Sequence, residues 1–272
     1  MIFCDSHLHT DFSTDSETPV ETQLMRAIEL GLKHMYFTDH MDVDFPGGGF
    51  VFDIEPYFEK LLPLQRAFSG KIGIHIGVEL GIRPEESIVE KNVNIARCYP
   101  FDYIIGSVHV VDGYDPYYPE YWESHGEENG IYRYYESMYD SMKLFSDFDS
   151  LGHIDYILRY CPSKGEVLEK NSKLQKKLEE LTASILELLV FDQKALELNT
   201  AGWKYGMKYP HPAPSLLKLY KQLGGKMITI GSDAHKPEHM AWDFSRVPDY
   251  LRENGFTHYV RFENHKPIFV SI

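Results

Sequence analysis

Short apolar runs rich in Ile, Val, Tyr and Phe recur along the chain, and each is followed by a stretch whose apolar residues fall at helical spacing. The first run, residues 2–4, leads past a polar loop to Thr18-Pro19-Val20-Glu21. There a capping hydroxyl, a proline at the first helical position and a glutamate three residues after the threonine predict a helix start, and Gly31 stops it. Residues 35–38 read as the second strand. A helix over 54–69 follows, with Leu61, Leu62 and Leu64 on its apolar side, Pro63 as a kink point and Gly70 as its end. Residues 72–78 give a third strand before a helix opening at Pro84-Glu85-Glu86, and residues 103–108 a fourth, followed after a long loop by a helix over 132–145. A short fifth strand at 150–152 precedes a charged helix over 172–191; residues 195–198 and 227–230 supply the sixth and seventh. The tail from 258 to 270 is strand-like at Tyr259, Val260, Phe262, Ile268, Phe269 and Val270 with no full helix between, so it reads as an eighth strand or a closing hairpin.

Serial βα units leave two architectures, an open doubly wound sheet and a closed barrel. Polar residues with ligand chemistry stand just past nearly every predicted strand. A barrel gathers such positions at one mouth, whereas an open sheet spreads them along a line, so the barrel is favoured. At 272 residues, with 43% hydrophobic and 25% charged, the chain has ordinary globular composition and no visible repeat or linker, which predicts one domain over 1–272. No run approaches the ~18 apolar residues of a membrane span, and no basic stretch precedes an apolar core at the N-terminus. Cys4, Cys98 and Cys161 are odd in number and widely spaced, which fits a reducing cytoplasm better than a disulfide framework or a zinc ribbon. Asp plus Glu is 41 against 27 for Lys plus Arg, and the net charge of −14 would repel the phosphates of a long nucleic acid.

The chemistry lies in the residues past the strands: His7 and His9, Asp39 and His40, Glu79, His109, His153, Asn199, then Asp233 and His235. Side chains alternate along extended backbone, so the two histidines of His7-Leu8-His9 point to one side, as do Asp233 and His235. Imidazole nitrogen with carboxylate oxygen suits Zn²⁺, Mn²⁺ or iron and is poor for Ca²⁺, which prefers oxygen alone. Each motif alone has a plain structural reading. Six of the 13 histidines in phase with separate strand ends do not, and together they predict a metal cluster. His75 shares the alternation parity of Glu79 but lies deeper in its strand and reads as a polar core residue. His34, His125, His211, His239, His258 and His265 read as solvated or capping groups in loops, helix ends or the tail.

The order His7-x-His9, an acidic residue in the loop, His40 after Thr38-Asp39, Glu79, His109 after Ser107-Val108, His153 after Gly152, and Asp233-x-His235 resembles the polymerase and histidinol phosphatase family over residues 7 to 235. Asp15, where many relatives place a histidine, and the chain length resemble its histidinol-phosphate phosphatase branch. The resemblance implies a distorted (β/α)₇ barrel with the active site at the C-terminal ends of the strands and two to three divalent transition metal ions. His7, His9, Glu79 and Asp233 would hold one metal, Glu79, His109 and His153 a second, and Asp15, His40 and His235 a third, with Glu79 bridging the first two. The implied substrate is a small phosphorylated molecule, L-histidinol phosphate. Its ester would be cleaved by a metal-bridging hydroxide, so that Glu79, Asp233 and His235 serve catalysis through the metals they hold.

Phosphate monoester hydrolysis demands both a strong nucleophile and charge neutralisation, and a metal cluster supplies both. Neither a P-loop nor a G-x-S-x-G elbow is present. Arg159, Arg83 and, less directly, Lys164 lie on strand-following loops where a cation can fork phosphate oxygens. The loop after strand four mixes Asp112, Asp115, Glu120 and Glu123 with Tyr114, Tyr117, Tyr118, Tyr121 and Trp122, chemistry suited to a cationic, partly flat ligand, and Asp42 and Asp44 extend it. The alternative for that loop is an ordered lid with its aromatics on the barrel rim and its acids in water. Two other functions share the barrel: a nucleotide phosphodiesterase or exonuclease, which the acidic balance disfavours, and a non-catalytic metal-binding scaffold, which the intact donor set disfavours.

Overall fold

The computed structural model describes residues 2–272. Eight strands contribute to one parallel sheet: β1 (Cys4–Leu8), β2 (His34–Phe37), β3 (His40–Met41), β4 (Gly73–Gly81), β5 (Tyr103–Ser107), β6 (Ser150–Leu151), β7 (Ala195–Asn199) and β8 (Ile228–Gly231). The order is β1-β2-β4-β5-β6-β7-β8, and the two-residue β3 pairs with the upper part of β4. Leu8 bridges Ala234 beyond the end of β8, with hydrogen bonds from Asp233 N to the His7 carbonyl at 2.9 Å and from His9 N to the Ala234 carbonyl at 3.0 Å. These contacts bring the first and last staves together, and the fold is the distorted seven-stranded barrel with flanking helices.

The strands are buried on both faces, as parallel strands between helices and a barrel interior must be, and this is why apolar runs mark most of them. β1 departs from the expected 2–4 because its polar half, Asp5 to His7, is strand as well. Hydropathy misses it, since Asp5 owes its full burial to partners: Ser232 N at 2.9 Å, Ser232 Oγ at 2.6 Å and Ala241 N at 3.0 Å. Likewise β4 extends through Glu79 to Gly81. Pro19 caps the helix Val20–Glu29 with its backbone, without the expected threonine side-chain cap. The Thr18 hydroxyl instead donates to the His235 carbonyl at 2.7 Å, beside that of Ser16 at 2.9 Å. The helix Ile54–Phe68 runs on through Pro63.

The tail is a hairpin, β9 (His258–Glu263) antiparallel to β10 (Lys266–Ser271) and separate from the barrel sheet. It stoppers the barrel at the N-terminal ends of the strands. The Tyr36 hydroxyl donates to the Phe262 carbonyl and accepts from Phe262 N at 3.0 Å, and His265 Nδ1 meets Asp149 at 2.9 Å. No helix among the described residues is long and apolar enough to cross a membrane.

Asp5 ties β1 to the segment after β8, so Asp5→Ala strips the acceptor from the N–H groups of His7, Ser232 and Ala241 and from the Ser232 hydroxyl. The expected loss is about 2–4 kcal/mol, read as a lower urea midpoint. A midpoint equal to wild type would refute the role given to this seam.

Candidate metal centre at the barrel mouth

Glu79, fully buried in the upper part of β4, is the hub. Its Oε2 lies 3.2 Å from His7 Nε2, 3.6 Å from His9 Nε2 and 2.9 Å from His40 Nδ1, and its Oε1 lies 3.3 Å from His109 Nε2 and 3.0 Å from His153 Nε2. Asp233 joins from the loop after β8, its Oδ1 3.3 Å from His9 Nε2 and 3.9 Å from His7 Nε2. Asp233 has φ of 55°, a left-handed conformation that costs free energy for a non-glycine residue and is held here by the closing seam. At the outer edge Asp15 Oδ2 lies 3.1 Å from His235 Nε2 and 3.7 Å from His40 Nε2, and the rings of His9 and His235 stack at 4.0 Å. The structure thus gathers all nine residues expected to hold metals.

A second layer orients these rings. His7 Nδ1 is 2.6 Å from Glu197 Oε1, while the other oxygen of Glu197 accepts from His153 N at 2.8 Å. His9 Nδ1 meets Ser13 Oγ at 3.1 Å; that hydroxyl donates to Asp39 at 2.7 Å, leaving its lone pairs for the ring N–H. His109 Nδ1 is 3.0 Å from Asp42, and Ser107 Oγ donates to Glu79 at 2.6 Å. Partners at Nδ1 of His7, His9 and His109 turn Nε2 toward the hub, where it can take a metal ion. Gly231 makes room, because a Cβ there would lie 2.4 Å from His7 Cβ and 2.6 Å from Glu197 Oε1.

Glu197 was not expected. A lone acid inside the apolar strand Ala-Leu-Glu-Leu-Asn was its only signal. Asn199, noted at the strand end, lies nearby with its amide 3.3 Å from Glu197 and 3.4 Å from Asp233.

His7 Nε2, His9 Nε2, Glu79 Oε2 and His235 Nε2 are buried without hydrogen-bond partners. Donor atoms of His7, His9 and Glu79, of Glu79, His109 and His153, and of His9, His40 and His235 lie in each case within 4.8 Å of one another. Orphaned nitrogen and oxygen atoms converging in this way fit divalent transition metal ions. Without metal, charge is balanced internally. Burial raises the Glu79 carboxyl, but His7, His109 and His40 outweigh it and hold it well below the usual range. Burial opposes the charged ring of His40, yet Glu79 and Asp15 push its pKa up to about 9, and His7 and His109 are raised in the same way by Glu79 and their own acidic neighbours.

Above the donors lies a cleft of about 470 Å³ whose wall includes Asp42, Asp115, Tyr117 and Arg159. The Arg159 guanidinium sits 3.5 Å over the Tyr205 ring and 4.7 Å from that of Tyr160. Of the other expected substrate contacts, Asp42 lines this cleft and Arg83 and Lys164 do not. Arg83 turns its guanidinium to the carbonyls of Val43 and Asp44, and Lys164 donates to the Arg159 carbonyl at 2.6 Å, so both brace backbone and neither lines the cleft. Asp44 pairs with Lys91, and Asp112 with Arg133 at 2.6 Å. The loop after β5 divides its roles: Tyr121 and Trp122 pack into the rim, while Asp115, Tyr117 and Tyr118 face the cleft. Among the remaining histidines, His211 is fully buried against Asp155 at 2.7 Å, not solvated.

Cations must displace the protons on His7, His40 and His109. Metal affinity is therefore expected to rise with pH up to about 9, with proton release detectable by calorimetry in buffers of different ionisation enthalpy. Affinity independent of pH would contradict this charge balance. Glu79→Gln removes the hub's charge from several donor sets at once and should cost more than one equivalent of metal by elemental analysis; loss of a single equivalent would limit Glu79 to one ion.

A model of the PHP domain family matches residues 5–201. The histidinol-phosphatase of Lactococcus lactis subsp. lactis strain IL1403 is 32% identical over 264 residues, 96% of this chain and 95% of that protein. A probable histidinol-phosphatase of Clostridium acetobutylicum is 33% identical over 252 residues, 91% of each. The crystal structure of histidinol phosphate phosphatase from Lactococcus lactis, complexed with zinc, L-histidinol and phosphate, aligns with a TM-score of 0.84 at 30% identity, covering 97% of this chain and 98% of that one. With its fold, its clustered donors and these relatives in agreement, the chain belongs to the PHP domain family, in its histidinol-phosphatase branch, and is a metal-dependent hydrolase.

Proposed function

We propose that this protein hydrolyses L-histidinol phosphate to L-histidinol and phosphate. The observation that carries the reading is a cleft lined by both signs of charge, with the cation of Arg159 and the acids Asp42 and Asp115 around its wall and donors of the cluster among its lining residues. The relatives' names and the zinc, L-histidinol and phosphate in the Lactococcus lactis structure support it. His7, His9, Glu79 and Asp233 would hold one divalent ion, Glu79, His109 and His153 a second, and Asp15, His40 and His235 a third. When bound, such ions supply an activated water and positive charge for the phosphoryl oxygens.

The chain's own residues do the rest. Glu197, Ser13 and Asp42 fix the rings of His7, His9 and His109, so that the donors need not reorganise during reaction. Arg159, held over the Tyr205 ring and lining the cleft, would supply a guanidinium fork for two phosphate oxygens. Asp115 accepts from Tyr117 N at 2.7 Å through Oδ1, which leaves its second oxygen for the amine or imidazole of the substrate. Asp42 adds negative charge to the same wall while holding His109.

Recognition of the cationic end and of the phosphate can be separated. Asp115→Asn should lower kcat/KM for L-histidinol phosphate by about 10- to 150-fold, the loss of one charge-assisted contact of roughly 1.5–3 kcal/mol, while leaving an aryl phosphate nearly unchanged. Arg159→Gln should instead depress both substrates by a similar factor. Equal losses on both substrates for Asp115→Asn, or a phosphodiester as the better wild-type substrate, would reject the reading.

A further inference from the structure

A second group of donors lies at the opposite end of the barrel, outside the centre described above. His34 opens β2 in register with Gly73, and His75 lies two residues further along β4, in register with Tyr36. His34 Nδ1 and His75 Nε2 are 3.0 Å apart, their rings inclined by 30°. Gly73 makes the space for this pair: a Cβ there would stand 2.6 Å from His34 Nδ1 and 3.3 Å from His75 Nε2. The Tyr36 ring stacks on His75 at 4.3 Å, and its hydroxyl exchanges hydrogen bonds with the backbone of Phe262. That anchorage delivers the next residue, Glu263, from the hairpin to the imidazole pair, and one donor atom from each of the three residues lies within 4.8 Å of the others.

We propose that His34, His75 and Glu263 form a separate binding site for a divalent cation of the zinc class, which clips the C-terminal hairpin to the floor of the barrel. Two imidazole nitrogens and one carboxylate oxygen are a donor set for borderline cations, with positions left for water on the solvent side, where His34 and Glu263 are partly exposed. An N···N separation of 3.0 Å is close to the edge of a tetrahedron drawn with zinc–nitrogen distances of about 2.0–2.1 Å, so small ring rotations turn the contact into a chelate. Arg261 pairs with Oε1 of Glu263, which leaves the second oxygen free. Burial, with His34 and Arg261 nearby, lowers the pKa of His75 to about 4, and burial lowers that of His34 as well. His75 stands four residues before Glu79 on the same strand, about 13 Å along it at the usual rise, so the two sites do not share ligands.

The test uses the full chain, stripped with a chelator and reloaded with Zn²⁺ alone, beside His34→Ala and Glu263→Gln, two substitutions at partly exposed positions. Both variants, folded by circular dichroism, should hold one equivalent of zinc fewer than wild type by elemental analysis. Crystals of the wild type should show an anomalous zinc peak among His34, His75 and Glu263. Equal zinc content in the three proteins, or a map without that peak, overturns the proposal and leaves a histidine–histidine hydrogen bond. None of the three residues touches the barrel mouth, so the result is independent of which phosphate ester the protein hydrolyses.

Discussion

The arrangement at the mouth depends on one buried carboxylate. Glu79 is shut off from bulk solvent and has five imidazoles within 3.6 Å, so its negative charge survives only because positive charge, on protons or on metal ions, is always beside it. That requirement explains features which otherwise look unrelated. β4 continues past its apolar run to place Glu79, β3 exists as two residues paired to β4 beside it, and small or hydroxyl residues at Ser107 and Gly231 leave room for rings and acids. The raised pKa values of His7, His40 and His109 are the same fact seen from the other side.

Much of this was legible in the sequence because two periodicities coincide there. The apolar runs marked seven of the eight strands of the barrel sheet, missing the two-residue β3, and the polar residues that interrupt the pattern at the strand ends were the ones that meet. The failures share a cause. Asp5 and Glu197 are buried acids whose burial rests on partners more than 40 residues away, and no local pattern announces such partners. Arg83 and Lys164 lie near site residues in sequence, but loop direction turns them to backbone carbonyls, and proximity along the chain says nothing about direction. Thr18 carried the signature of a helix cap, yet tertiary structure used its hydroxyl to fix the His235 loop.

The two ends of the barrel divide stability from chemistry. The N-terminal end is stoppered by the hairpin through Tyr36, Asp149 and their partners, whereas the mouth keeps its unsatisfied donors beneath an open cleft. Substitutions at the floor should act on stability or on the hairpin, and those at the mouth on ion binding and turnover, a separation usual for barrels of this kind.

The closing seam has a consequence for how the protein comes into being. Asp5 and Ser232 are 227 positions apart, and the pairs His7–His9 and Asp233–His235 sit on the two segments that this contact joins. A nascent chain presents His7 and His9 well before Asp233 and His235 have been synthesised. The site cannot be preassembled locally, as in a zinc finger whose ligands are neighbours. Cation capture therefore becomes a report on the closure of a contact that spans 227 positions, and truncated or half-folded chains are left without the complete centre.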